Sequence, residues 1–148
     1  MEYLITGFFS TVSTVLFALS ARSPLKPAII SGCLGGLGFV LYLLFGNWLS
    51  EAGAVFYATL AACIGAEIIA RLIKTPTTVL SIPAIIPLVP GIMLYQAMLY
   101  FGEGDNSGGV NKAVDTLLVA GALALAVTIS TLVGRLIFGP RNTKKKEE

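Results

Sequence analysis

The stretch from Lys74 to Phe101, KTPTTVLSIPAIIPLVPGIMLYQAMLYF, is apolar over a length that would cross a bilayer, yet it carries Pro83, Pro87 and Pro90 in its interior. Each interior proline lacks an N–H and presses its ring against the carbonyl four residues earlier. The carbonyls of Val79, Pro83 and Ile86 are therefore expected to lose their helical partners. In hydrocarbon such groups cannot stay unpaired, and irregular backbone at that depth survives only inside protein or beside a watery cavity. In secondary transporters it commonly forms the substrate site. The segment predicts a membrane helix broken at Pro83, Pro87, Pro90 and Gly91, and points to solute transport.

With 55% hydrophobic and 12% charged residues and a mean hydropathy of +0.85, the chain is too apolar for a domain whose surface must face water. Roughly 17 to 25 apolar residues make one crossing, and the sequence supplies five candidates: 4–20, 27–45, 52–73, 78–101 and 113–138. The polar connections are short, so the expectation is an all-α integral membrane protein, residues 1–148 forming one five-span bundle.

Orientation follows from the positions of lysine and arginine, which cytoplasmic loops retain. Arg22 and Lys26 follow the first span, Arg71 and Lys74 close the third, and Arg135, Arg141 and Lys144 to Lys146 end the fifth. Glu2, Glu51, Glu103, Asp105 and Asp115 fall on the other side, with Lys112 as its cation. This segregation predicts an outside amino terminus and a cytoplasmic basic tail, 139–148. The net charge of +2 is thus a topology signal rather than a nucleic-acid footprint. No positive region precedes the first apolar run, so that run is expected to stay as a span and not to be cleaved as a leader. Cys33 and Cys63 lie within spans and read as small packing residues.

Alanines 54, 58, 62, 66 and 70 form a smooth ridge on the third span, Gly32 and Gly36 sit in GxxxG spacing on the second, and Ala122, Ala126, Ser130 and Gly134 repeat the device on the fifth. Such faces let helices approach closely, either within the chain or in an oligomer. Thr6, Ser10, Ser13 and Thr14 lie near one face of the first span, where they either line a polar path or bond to carbonyls of the preceding turn. Glu67 stands inside the third span with Arg71 four residues on. Ionisable residues at such depth are functional or paired, so the two readings are an i, i+4 ion pair and a site for a proton or a substrate ammonium.

Pro90 and Gly91 fall near the midplane of the fourth span. A half-helix beginning at Pro90 would aim its N–H groups and positive dipole end at the membrane centre, ready for a carboxylate. The freed carbonyls of Val79, Pro83 and Ile86 would suit an ammonium. Pro83, Ile86, Pro87, Pro90 and Gly91 are the candidate substrate residues, against the plainer alternative of a kinked structural helix. Enzyme chemistry has one hook, the string Gly102-Glu103-Gly104-Asp105, which matches the GxGD pattern of intramembrane aspartyl proteases. That chemistry needs two facing carboxylates, and Asp115 is the other aspartate, in what reads as one solvated loop. There is no histidine and no ligand cluster, so neither a metal nor another cofactor is expected.

The core Ile85-Ile86-Pro87-Leu88-Val89-Pro90-Gly91, with Tyr95 beyond it and Lys74-Thr75-Pro76 before it, resembles the second, five-span module of the threonine/serine exporter family. The resemblance implies export of small polar metabolites across a prokaryotic inner membrane, threonine and serine in single-chain members, driven by the proton gradient, and adds Tyr95 to the substrate residues. It is also similar to the smaller subunit of split exporters associated with succinate, which implies a first-module partner subunit or a homo-oligomer. The rival expectation is a non-transporting membrane subunit that stabilises or targets a partner.

Overall fold

The computed structural model of the chain describes residues 2–138; the basic tail 139–148 lies outside them. The described residues form six α-helices and no strand: α1 (Glu2–Ser20), α2 (Leu25–Gly46), α3 (Glu51–Leu72), α4 (Thr77–Ile85), α5 (Gly91–Gly102) and α6 (Asn106–Phe138), with a 3-10 turn at Ile86–Leu88. Four of these, α1, α2, α3 and α6, are long and apolar enough to cross a membrane, and α4 with α5 makes a fifth span bent by 44° at the break. A re-entrant hairpin would reverse the chain direction. A 44° bend preserves it, so the segment continues from one end of the bundle to the other.

Arg22 and Lys74, in the turns between α1 and α2 and between α3 and α4, define a basic end with Lys26 in the first turn of α2. Glu103 and Asp105, in the α5–α6 turn, define an acidic end with Glu51 at the start of α3. Both basic turns use one device. Arg22 (φ 59°) and Lys74 (φ 55°) adopt the left-handed conformation, and the following N–H reaches back to Ala18 or Ala70 in a Schellman closure. Pro24 and Pro76 then end each turn, since proline cannot continue the helix before it. Glycine would be the easier residue at both left-handed positions, but a cation there complements the helix dipole and sits at the membrane edge.

The small-residue faces are spent on internal packing. A Cβ on Gly36 would lie 3.0 Å from the Gly7 carbonyl oxygen and one on Gly32 3.1 Å from that of Thr11, so α1 lies directly on the α2 backbone. Gly38 meets Ala62 of α3, and Ala54, Ala58, Ala62, Ala66 and Ala70 are all buried. Ala126, Ser130 and Gly134 of α6 are buried as well, on the helix that packs along α3 and α5. Leu34, Ala66, Ala70, Leu80 and Ala84 form a cluster that joins α2, α3 and α4.

The fifth span begins earlier than its hydropathy predicts. Helix α6 starts at Asn106 rather than near 113, so most of the expected loop 102–115 is helical. Asp105 accepts a 2.9 Å hydrogen bond from the Gly108 N–H, a capping contact that satisfies a first-turn donor. Gly108 and Gly109, poor helix formers in isolation, leave room for the rings of Tyr100 and Phe101 to lie on the α6 backbone. The aspartate of the GxGD string thus caps a helix.

A candidate solute site at the broken span

Pro83 remains inside α4, where its side chain is buried. Beyond it the winding tightens: the Ile86 N–H bonds to the Pro83 carbonyl, and the Val89 N–H to the Ile86 carbonyl at 3.2 Å. Two of the three carbonyls expected to be free are therefore satisfied, because a 3-10 turn brings donors three residues on instead of four. Pro90 then takes φ −76° and ψ 54° while the Gly91 N–H bonds to the Val89 carbonyl at 2.7 Å, an inverse γ-turn. Helix α5 starts one residue later than expected, with Pro90 just outside it. The Leu94 N–H bonds back to Pro90, which leaves the N–H groups of Ile92 and Met93 as the open donors of the first turn.

Beside this break lies a cavity of about 420 Å³. Pro87, Leu88, Val89 and Pro90 form one wall, Ile92, Met93 and Gln96 of α5 continue it, and Phe39 and Tyr42 of α2, Glu51 and Val55 of α3, and Lys112 and Val119 of α6 complete the lining. The floor is apolar, since Val55, Met93 and Val119 are buried against one another. Glu51 is exposed and Lys112 half-buried, and they place one charge of each sign at the acidic-end mouth. Volume and lining suit a small molecule that has both polar and apolar parts.

Of the residues expected to hold substrate, Pro87 and Pro90 line the cavity, whereas Pro83 and Ile86 lie in the helical turns before it. Gly91 opens α5 at the edge of the site. Tyr95 is 66% exposed on the outer face of α5 and is not part of the lining. Tyr42, Glu51, Gln96 and Lys112 were missed because they come from four helices, and no local spacing brings them together. Gln96, an amide within an apolar run, was the signal available.

Glu67 and Arg71 pair within α3 at 3.6 Å, as their spacing predicts. The pair is also a joint between helices: Thr77 at the start of α4 donates to the same Glu67 Oε2 at 3.3 Å, and Arg71 donates to the Gly134 carbonyl of α6 at 3.1 Å. A Cβ on Gly134 would come within 2.7 Å of the Glu67 carboxyl carbon, so a glycine there lets the carboxylate lie on α6. This node sits toward the basic end, away from the cavity lining. The α1 hydroxyls are likewise apart from it. Thr14 bonds to the Ser10 carbonyl at 2.8 Å, Ser10 is buried, Thr6 is partly buried and Ser13 faces outward. No group of three or more Cys, Asp or Glu residues at metal-binding spacing occurs among the described residues.

The family described as Threonine/Serine exporter, ThrE, matches residues 6–133. A threonine/serine exporter of Corynebacterium glutamicum is 25% identical over 129 residues, covering 87% of this chain and 26% of that protein. A probable threonine/serine exporter of Mycobacterium tuberculosis (strain ATCC 25618 / H37Rv) is 28% identical over 135 residues, covering 88% of this chain and 24% of the relative. The chain thus spans about a quarter of the length of these curated relatives. No solved structure matches it.

Proposed function

The chain belongs to the threonine/serine exporter family, whose members are transporters and not enzymes, and from that premise we propose that it is a membrane module of a secondary transporter that exports threonine, serine or a related small polar metabolite. As a multi-pass protein of the bacterial inner membrane, it would place its basic end in the cytoplasm and its acidic end outside, following the lysine and arginine bias. The observation that carries this reading is the 420 Å³ cavity set against the break in the fourth span. It combines the open N–H groups of the α5 first turn, favourable to a carboxylate, with Glu51 at the mouth for an ammonium, and Tyr42 and Gln96 as hydrogen-bonding groups.

The cavity lies toward the acidic end, and the cluster of Leu34, Leu80 and Ala84 packs α2 against α4 on its basic side. Alternating access would move α4 against α2 and α3 about the 3-10 turn, with energy from the proton gradient and the Glu67–Arg71 node as the coupling element. A first-module partner, or further copies of the chain, would complete the transporter, in keeping with relatives roughly three to four times its length. A dicarboxylate such as succinate is the competing substrate, and Glu51 at the mouth disfavours it.

The test is efflux from proteoliposomes holding this chain alone, or with a first-module partner, loaded in turn with threonine, serine and succinate. Efflux of threonine or serine at least tenfold above empty vesicles supports the reading. A correctly formed complex that moves none of the three would make the chain a non-transporting subunit.

A further inference from the structure

Five threonines in the spans bond to the carbonyl one turn back: Thr11 to Gly7, Thr14 to Ser10, Thr116 to Lys112, Thr128 to Ala124 and Thr131 to Val127. Ser10 of α1 lacks such a bond, and so do Thr59 of α3 and Ser130 of α6. Thr59 and Ser130 are 0% and 1% exposed, and neither hydroxyl has a protein partner. Buried hydroxyls are rarely left in this state, and the usual partner where protein offers none is an internal water.

Their positions connect two features already described. Helices α3 and α6 run parallel: Val55 packs with Val119 below the cavity, and Glu67 packs on Gly134 about three turns further on. Thr59 lies one turn beyond Val55, and Ser130 one turn before Gly134, each an i, i+4 step on its own helix. The two hydroxyls therefore fall between the cavity floor and the Glu67 carboxylate. Cys63, also buried, occupies the α3 turn between Thr59 and Glu67. The groups facing Glu67 are Arg71 and Cys63 of α3, Thr77 of α4 and the Gly134 backbone of α6.

We infer that Thr59 and Ser130 hold a short file of internal water between α3 and α6, which carries protons between the cavity and Glu67. Each hydroxyl accepts a proton on one side as it releases its own on the other, so no net bond is made along the file and the proton ends on the Glu67 carboxylate. Thr77 and Arg71, at the basic end, stabilise that carboxylate when the proton leaves. The use of the path rests on the export reading, but its existence does not.

Two measurements separate these. In nanodiscs, brief X-ray pulses generate hydroxyl radicals from bound water, which oxidise adjacent thiols. Cys63 is buried in protein, while Cys33 lies on the outer surface of α2, where lipid covers it. The path predicts oxidation of Cys63 at least fivefold faster than Cys33, falling to the Cys33 rate in Thr59→Val with Ser130→Ala, and recovering in Thr59→Ser with Ser130 intact. Equal rates in the unsubstituted protein, or a Cys63 rate untouched by the double substitution, would overturn it whatever the transport assay gives.

In proteoliposomes the double variant should retain solute exchange at equal pH within twofold, yet lose at least tenfold of the flux driven by a pH gradient; Glu67→Gln should lose the gradient-driven flux as well. Full gradient-driven flux in the double variant would also refute the path. If the unsubstituted protein moves no solute, the export reading fails, and the Cys63 rates still decide for or against the water file.

Discussion

Replacing Gly36 by alanine tests whether the α1–α2 contact depends on direct backbone approach. The new Cβ would stand 3.0 Å from the Gly7 carbonyl oxygen and 3.2 Å from the Thr11 Cβ, in addition to its clash with the Thr11 hydroxyl, whereas ordinary contact begins at 3.4 Å. The first two neighbours are backbone or branch-point atoms that no rotamer change can move. The helices must therefore separate by a few tenths of an ångström along a face shared by Gly7, Gly32 and Gly36. Overpacking of this kind costs about 1–3 kcal/mol, opposed by about 1 kcal/mol of helix propensity gained on going from glycine to alanine. Gly121 of α6 supplies the control, because nothing lies within 4 Å of its would-be Cβ. Gly121→Ala should stabilise by up to about 1 kcal/mol while Gly36→Ala is neutral to about 2 kcal/mol destabilising, so the difference between them isolates the steric term. Thermal unfolding in nanodiscs, followed by circular dichroism, measures both. Equal shifts in the two variants would refute the close-packing argument; loss of stability at Gly121 alone would instead place a partner chain against that face.

Pro90→Ala should let α4 and α5 join more nearly in line, reducing the 44° bend and cutting flux at least tenfold while any complex still assembles; spin-label distances across the break together with efflux measure this. Lys112→Gln removes a cation from the mouth where the solute's ammonium trails, and should lower the half-saturating threonine or serine concentration about three- to tenfold, equivalent to roughly 0.7–1.4 kcal/mol, with little change in maximal rate. Asp105→Ala should cost about 1 kcal/mol through loss of the α6 cap, Asp105→Asn should retain most of that stability, and neither should alter flux. Lys74→Gly relieves a left-handed lysine, a gain of about 1–2 kcal/mol set against about 0.3–1 kcal/mol of dipole interaction lost, so its melting temperature should rise slightly, while Lys74→Val should lower it.

The spans were legible because crossing a bilayer demands long apolar runs, and the break because proline leaves the backbone few options. Where reading failed, a tertiary contact overrode a local rule. The segment 106–112 looks like a loop from its Asn, Ser and Gly content, but the rings of Tyr100 and Phe101 need the bare backbone of Gly108 and Gly109 to pack against. The small faces of α2 and α3 could have served an oligomer as well as the chain itself; the placement of α1 on Gly32 and Gly36, and of α2 on the α3 alanines, decides between them. Glu51 and Lys112 were visible as topology charges, yet their convergence on one cavity depends on α3 and α6 running parallel, which no single stretch of sequence encodes.

The break also has a different polarity from the one proline chemistry alone suggests. With the Pro83 and Ile86 carbonyls taken by the 3-10 turn, the acceptors expected beside the site are withdrawn, whereas Ile92 and Met93 keep their N–H groups open at the positive end of α5. The backbone thus offers donors near the midplane, and negative charge must come from side chains, of which Glu51 at the mouth is the cavity's carboxylate. A zwitterionic solute would then enter carboxylate first, its ammonium trailing toward the acidic end. On this account Glu51→Gln should weaken threonine or serine and leave succinate unchanged or improved. Equal weakening of both would mean that Glu51 shapes the mouth without reading charge.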